Sequence, residues 1–296
     1  MSRNESFPGM HKKTVRMHFD RAAASYDDAA VLQQEVCRRM LERLDYMRIQ
    51  PSTILDVGVG TGFSIPGLFA LYPKATLLAL DLSTRMLQHT ANRLKWYQRP
   101  FRRMHTICGD AEKLPLPDQS VDMIFSSLTL QWCTDPELTF AEFRRVLKPE
   151  GMLLFSTFGP DTLRELRASW AYVDDHAHVS PFYDMHDLGD ALVRARMAEP
   201  VMDVDRFTLT YPDVKSLLGD LKKIGATNAM QTRFRGLTGK ARWQAFQDAY
   251  ETYRSQELLP ATYEVVYGHA WAAQASRAGV LGQREVSLAS LEKPGR

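Results

Sequence analysis

The run Ile54-Leu55-Asp56-Val57-Gly58-Val59-Gly60-Thr61-Gly62 constrains the fold more than any other stretch. An apolar, β-branched segment running into alternating glycines reads as a buried parallel strand entering a tight turn. The apolar stretch Ile65 to Tyr72 reads as the helix that follows. Glycine tolerates positive φ and leaves no Cβ between backbone and ligand, while a helix N-terminus presents unpaired N–H groups. The pattern by itself fits a plain tight turn or a dinucleotide site equally well. Asp56 is the informative residue, because a carboxylate just before the turn repels a pyrophosphate and attracts an ammonium group.

Downstream residues narrow the choice. Thr76 to Leu80 forms a second apolar strand ending at Asp81, which places an acid about 20 residues past the last glycine, the spacing of a ribose hydroxyl clamp. A third strand, Thr106-Ile107-Cys108, ends in Gly109-Asp110-Ala111, and a fourth, Val121 to Phe125, ends in Ser126-Ser127. These polar ends converge at the carboxyl edge of one sheet, where open α/β folds bind ligands. Thr84 to Gln98 reads as a helix capped by Ser83, and Pro136 to Leu147 as a helix capped by Asp135 with proline in its first turn. The basic residues Arg93, Lys95, Arg99, Arg102 and Arg103 read as a solvated face. Met152 to Phe158 supplies a fifth strand, Val201 to Thr210 a sixth and Tyr263 to Ala270 a last.

Composition sets outer bounds. At 296 residues the chain suits one elaborated α/β domain. Lys+Arg 37 against Asp+Glu 35 leaves a net charge of +2, which supplies no global field for nucleic acid, and no nucleic-acid partner is expected. Cys37, Cys108 and Cys133 have no ligand spacing, so no disulfide framework and no metal site are implied, and a reducing, cytoplasmic setting fits. His176, His178 and His186 read as a polar surface insertion rather than ligands. No segment approaches roughly 18 consecutive apolar residues, so no membrane partner is expected. The expected organisation is a disordered leader over 1–13, a single domain over 14–275 and a loosely ordered tail over 276–296. Within the domain, helices over 14–48 cover the cofactor, 50–158 forms the core, and 159–200 and 211–258 are acceptor-side insertions.

Taken together, these motifs resemble the class I S-adenosylmethionine-dependent methyltransferases. Asp56 to Gly62 looks like their first motif, Asp81 their acidic second motif, Asp110 their adenine-side acid, and Lys148-Pro149-Glu150-Gly151 their turn before strand five, with glutamate at position 150 a departure. The resemblance implies a Rossmann-like α/β fold, a seven-stranded, mainly parallel sheet in the order 3-2-1-4-5-7-6 with its last strand antiparallel and helices on both faces. It also implies S-adenosyl-L-methionine held by Tyr26, Asp56, Gly58, Gly60, Gly62, Asp81, Leu82, Asp110, Ala111, Ser126 and Ser127. Phe19 to Asp27 is similar to the family segment that folds over the cofactor, with Tyr26 closing the site.

The second half is more particular. Ser127 to Trp132, Asp184 to Asp190 and Leu221 to Asn228 resemble the malonyl-[acyl-carrier protein] O-methyltransferases of biotin synthesis, over roughly residues 15 to 272. That resemblance implies methyl transfer to the free carboxylate of a malonyl thioester, on acyl carrier protein or coenzyme A. Tyr26, Gln131, Lys222 and Arg235 are then the catalytic and acceptor-side candidates. Gly159 to Arg167 and Leu259 to Tyr263 are also similar to methyltransferase-like assembly factors of respiratory complex I that hydroxylate arginine, and a small-molecule acceptor is a third reading. The oligomeric state is left open by the sequence.

Overall fold

The structure, a computed structural model, describes residues 10–94, 102–230 and 238–273. Its centre is a seven-stranded sheet in the order β3-β2-β1-β4-β5-β7-β6, as the resemblance implies. The strands are β1 (Thr53–Val57), β2 (Thr76–Asp81), β3 (Arg103–Cys108), β4 (Val121–Ser127), β5 (Leu147–Phe158), β6 (Met197–Tyr211) and β7 (Leu259–Ala272). Strands β1 to β5 pair in parallel, and β7 is antiparallel to both β5 and β6. In β1 and β4 both faces are covered, so Ile54 and Leu55 and the run Met123, Ile124 and Phe125 are apolar without alternation, as a doubly covered parallel sheet requires. The edge strand β6 alternates between half-buried and exposed residues, the pattern of a sheet face open to water.

Two apolar clusters fill the two faces. One packs α3 (Val31–Leu44), α4 (Ser64–Leu71), α7 (Arg164–Ala171), α9 (Val214–Lys223) and α10 (Lys240–Glu251) against Ile54, Leu77, Met123 and Leu154. The other packs α6 (Pro136–Val146) and α8 (Met185–Arg194) against Leu55, Ile124, Leu153 and Val266. Thus α8, expected on the acceptor side, covers the opposite face: Leu188, Ala191 and Leu192 on one side of that helix follow the sheet and α6. Ser83 and Asp135 cap α5 (Thr84–Ala91) and α6 as expected, each side chain accepting from the first-turn backbone.

Two boundaries differ from expectation. Helix α1 (Lys12–Ala22) starts inside the stretch read as a leader, because Lys12 has carboxylate partners distant in sequence. Helix α5 ends at Ala91 rather than Gln98, with the Asn92 N–H returning to the carbonyls of His89 and Thr90. The expected helix beyond residue 94, residues 1–9 of the leader and the tail over 276–296 lie outside the described residues.

Candidate functional site

The glycine turn follows β1 at the carboxyl edge of the sheet. Gly58 and Gly60 sit at φ +72° and +57°, where an L side chain costs roughly 1–2 kcal/mol. The turn is pinned from three directions. The Gly60 N–H donates to Asp81 Oδ2 at 2.9 Å, Thr90 Oγ1 donates to the Gly60 carbonyl at 2.7 Å, and Arg93 Nε donates to the Thr61 carbonyl at 2.7 Å. A Cβ on Gly60 would meet nothing within 4 Å, so the space above it is open. That space is a cavity of about 110 Å³ lined by Gly58, Gly60, Asp81, Leu82, Asp110, Ala111, Ser127 and Tyr26 among others.

Asp81 closes one wall. Its Oδ1 accepts from Ser83 N–H at 2.7 Å and its Oδ2 from Gly60, and each oxygen keeps a further lone pair for a ligand hydroxyl. Burial pushes its pKa up to about 6 against those two donors. Lys12 donates to Asp110 Oδ1 at 2.9 Å and also pairs with Glu112, which lays the start of α1 across the cavity. Further along α1, Val15 and Phe19 line the cavity, Phe19 meets Trp132 edge-on at 5.2 Å, and Asp20 accepts from Ser83 Oγ at 2.6 Å. Burial raises the Tyr26 phenol well above its ordinary range, so it is a neutral O–H group at the cavity. Cys133 also lines the cavity, but burial pushes its thiol up to about 12, which leaves it protonated and a poor nucleophile.

A second, larger cavity of about 370 Å³ adjoins the first and shares Gln33, Gln131, Trp132, Phe158, Ile224 and Ala226 with it. Leu163, Leu166 and Trp170 of the segment after β5 and Leu218, Leu221 and Lys222 of α9 form its walls. Lys222 is the single lysine or arginine among its described lining residues, and neither Asp nor Glu lines it. His178 reaches its rim, stacked on Trp170 at 3.9 Å with Nε2 2.9 Å from Asp174 Oδ1, while Asp174 also pairs with Arg242. His178 is therefore built into a carboxylate and aromatic cluster, and no group of three potential metal ligands occurs among the described residues.

The sequence-derived set divides accordingly. Tyr26, Gly58, Gly60, Asp81, Leu82, Asp110, Ala111, Ser127 and Gln131 come together around the first cavity, and Lys222 stands in the second. Three expected cofactor residues do not line either cavity. Asp56 is 1% exposed and accepts from Ser64 Oγ; burial pushes its pKa up to about 7. Gly62 faces Thr90 and Arg93, where a Cβ would come within 3.0 Å of the arginine side chain, and Ser126 is buried with its hydroxyl donating to the Val57 carbonyl at 3.2 Å. Arg235 lies outside the described residues.

Arg93, expected on a solvated face, pairs with Asp27 at 2.6 Å and lies over the Phe63 ring at 4.5 Å, clamping α2 (Tyr26–Ala29) to the glycine turn. Arg102 likewise donates to the carbonyls of Phe69 and Pro73. Trp132, just past strand four on the acceptor side, lines both cavities, whereas Lys12, Thr129 and Gln33 are cavity residues that the sequence did not single out. The helical face Val31 to Leu44 carried a signal for the last, since Gln33 falls on it beside buried Leu32 and Val36.

Comparison with known proteins adds the following. Residues 55–155 match the model described as Methyltransferase domain. The chain is 52% identical over 262 residues, 88% of its length and 90% of the other, to a malonyl-[acyl-carrier protein] O-methyltransferase of Gallionella capsiferriformans. It is 51% identical over 266 residues, 89% and 90% of the two lengths, to the enzyme of that name from a Methylovorus species. Among solved structures it shares the fold of Haemonchus contortus phosphoethanolamine N-methyltransferase 2, solved with S-adenosylhomocysteine, at a TM-score of 0.52 and 16% identity, covering 86% of this chain and 58% of that one.

Proposed function

The chain belongs to the malonyl-[acyl-carrier protein] O-methyltransferase family, and from that premise we propose how its two joined cavities divide the reaction between them. It is an S-adenosylmethionine-dependent methyltransferase that esterifies the free carboxylate of a malonyl thioester. The observation that carries the acceptor assignment is the composition of the second cavity: apolar and aromatic walls, one lysine and no carboxylate among the described lining residues. Such a cavity attracts an anion and penalises a cationic amine acceptor, which would be desolvated without a counter-ion.

The first cavity fits the cofactor on its own geometry. The open space over Gly60 lets a ligand approach the backbone, Asp81 offers lone pairs to ribose hydroxyls, and Leu82, Met86 and Ala111 give an apolar slot with Asp110 at its edge. Bound there, S-adenosylmethionine supplies a methyl group on a cationic sulfur, which a carboxylate oxygen takes by in-line displacement.

The chain's own residues then have modest tasks. A malonyl carboxylate is already ionised near neutral pH, so no side chain need act as a general base. This agrees with a site whose phenol and thiol are both held protonated by burial. Trp132, Phe158 and Ile224 exclude water where the cavities meet, which favours a step in which opposite charges neutralise each other. Lys222 draws the acceptor carboxylate into the second cavity, and Tyr26 holds the cofactor side closed. We assign no role to Arg235.

The test is direct. Purified protein is incubated with S-adenosylmethionine and malonyl-acyl carrier protein, malonyl-coenzyme A or the matching acetyl thioesters, and the products are analysed by mass spectrometry. A mass gain of one methylene on the malonyl carboxylate, absent from acetyl thioester, is the expected result. Binding of the cofactor without transfer to any malonyl thioester would overturn the reading.

A further inference from the structure

The acceptor carboxylate has to react where the two cavities meet, because an in-line displacement needs the oxygen and the methyl donor in contact. The residues facing both cavities are therefore those next to the reacting carboxylate, and three of them carry a polar side-chain group: Gln33, Gln131 and Trp132. Gln131 is already committed at both ends, its Nε2 donating to the Leu128 carbonyl at 2.6 Å and its Oε1 accepting from Thr157 Oγ1 at 3.3 Å. Trp132 presents its ring to Phe19. Gln33 differs from both. It is half-buried on α3, and its amide has no hydrogen-bond partner among the described residues. The adjacent Gln34, by contrast, is used structurally, donating to the Asp27 carbonyl at 2.9 Å.

We propose that Gln33 binds the acceptor carboxylate through its side-chain N–H group, holding at the neck the substrate that Lys222 attracts into the second cavity. The inference rests on the carboxyl-methyltransferase reading and deepens it by naming a neutral donor at the reacting end. A neutral donor suits the chemistry. The carboxylate loses its charge as the new O–C bond forms, so a full cation at that point would stabilise the ground state more than the transition state and raise the barrier. An amide orients the oxygen at a smaller cost of this kind. The half-buried Gln33 amide is not engaged elsewhere among the described residues, so a carboxylate can accept from it without breaking a bond within the protein.

The experiment uses the full chain with Gln33→Met, which keeps side-chain length and helix propensity but removes the donor, and Gln33→Glu, which sets a like charge against the substrate. Gln33→Met should raise KM for malonyl thioester about 10-fold or more, the loss of one hydrogen bond to a charged group. Its kcat should change by less than about threefold, since the interaction is made with the ground-state anion. Gln33→Glu should raise KM further. Both variants should bind S-adenosylhomocysteine by calorimetry as wild type does. With S-adenosylhomocysteine present, wild type should bind malonyl thioester more tightly than acetyl thioester, and Gln33→Met should lose that preference. Wild-type turnover with an unaltered KM and preference in Gln33→Met, or a matching loss of S-adenosylhomocysteine affinity, overturns the assignment of Gln33 alone. A wild-type protein that neither methylates malonyl thioester nor prefers it to acetyl thioester overturns the function and the assignment together.

Discussion

Replacing Gly60 with alanine separates the glycine turn's role in binding from its role in folding. At φ +57° the new side chain pays the left-handed penalty of roughly 1–2 kcal/mol, partly offset by about 0.4–1 kcal/mol from a less flexible unfolded chain. No protein atom lies within 4 Å of the added Cβ, so no packing cost is added. The net loss of about 1 kcal/mol should lower Tm by roughly 2–4 °C. The methyl group instead occupies space in the cavity, and overpacking against a bound ligand costs about 1–3 kcal/mol, which is roughly a 5- to 150-fold loss of cofactor affinity. Gly58→Ala provides the contrast. Its Cβ would fall 2.0 Å from Thr129 Oγ1 and 2.8 Å from Thr129 Cβ, and that hydroxyl donates to the Val57 carbonyl at 3.0 Å. Displacing Thr129 breaks that bond and strains the turn, so the stability loss should reach about 2–4 kcal/mol. Denaturant melts and calorimetry with S-adenosylmethionine read the two quantities separately. Unchanged affinity in Gly60→Ala, or equal stability of the two variants, would refute the reasoning.

Two further outcomes follow from the electrostatics. Asp56 and Asp81 have folded-state pKa values raised by burial to about 7 and about 6, against an ordinary value of about 3.9. The native state therefore holds protons that the unfolded state releases, so the contribution of these two groups to the stability of the ligand-free protein is full below about pH 4 and is lost as pH rises through about 6 to 7. Asp56→Asn removes the upper part of the slope and should be the more stable protein at pH 8; denaturant melts across pH showing no difference in slope would contradict this. Lys12→Ala leaves Asp110 and Glu112 without the cation that joins them to α1. Because the pair is partly solvated, the cost should be about 1 kcal/mol or less, seen as faster cofactor release in stopped-flow fluorescence with a fall in Tm of no more than roughly 2–4 °C; an unchanged release rate would show that α1 closes the cavity without this contact.

Much of the molecule is legible in short stretches. The glycine turn, the acid ending β2, the caps Ser83 and Asp135 and the apolar strands are local signals, since periodicity and turn chemistry act over a few residues. The order of the sheet came through the resemblance these signals carry. Tertiary structure decided which way each side chain faces and what it meets. Asp56 sits in the glycine motif yet turns to Ser64, and Gly62 packs against Thr90 and Arg93 rather than lining either cavity. Arg93 lies in a basic run yet serves the glycine turn and Asp27. Lys12 lies in a polar leader yet reaches Asp110, 98 residues away in sequence. Gln33 resembles its neighbour Gln34 in sequence, but their side chains leave the helix in different directions, and one meets a carbonyl while the other meets two cavities. Charge and type are properties of a residue, whereas partnership depends on which segments the sheet brings to its carboxyl edge, and that is set by contacts distant along the chain.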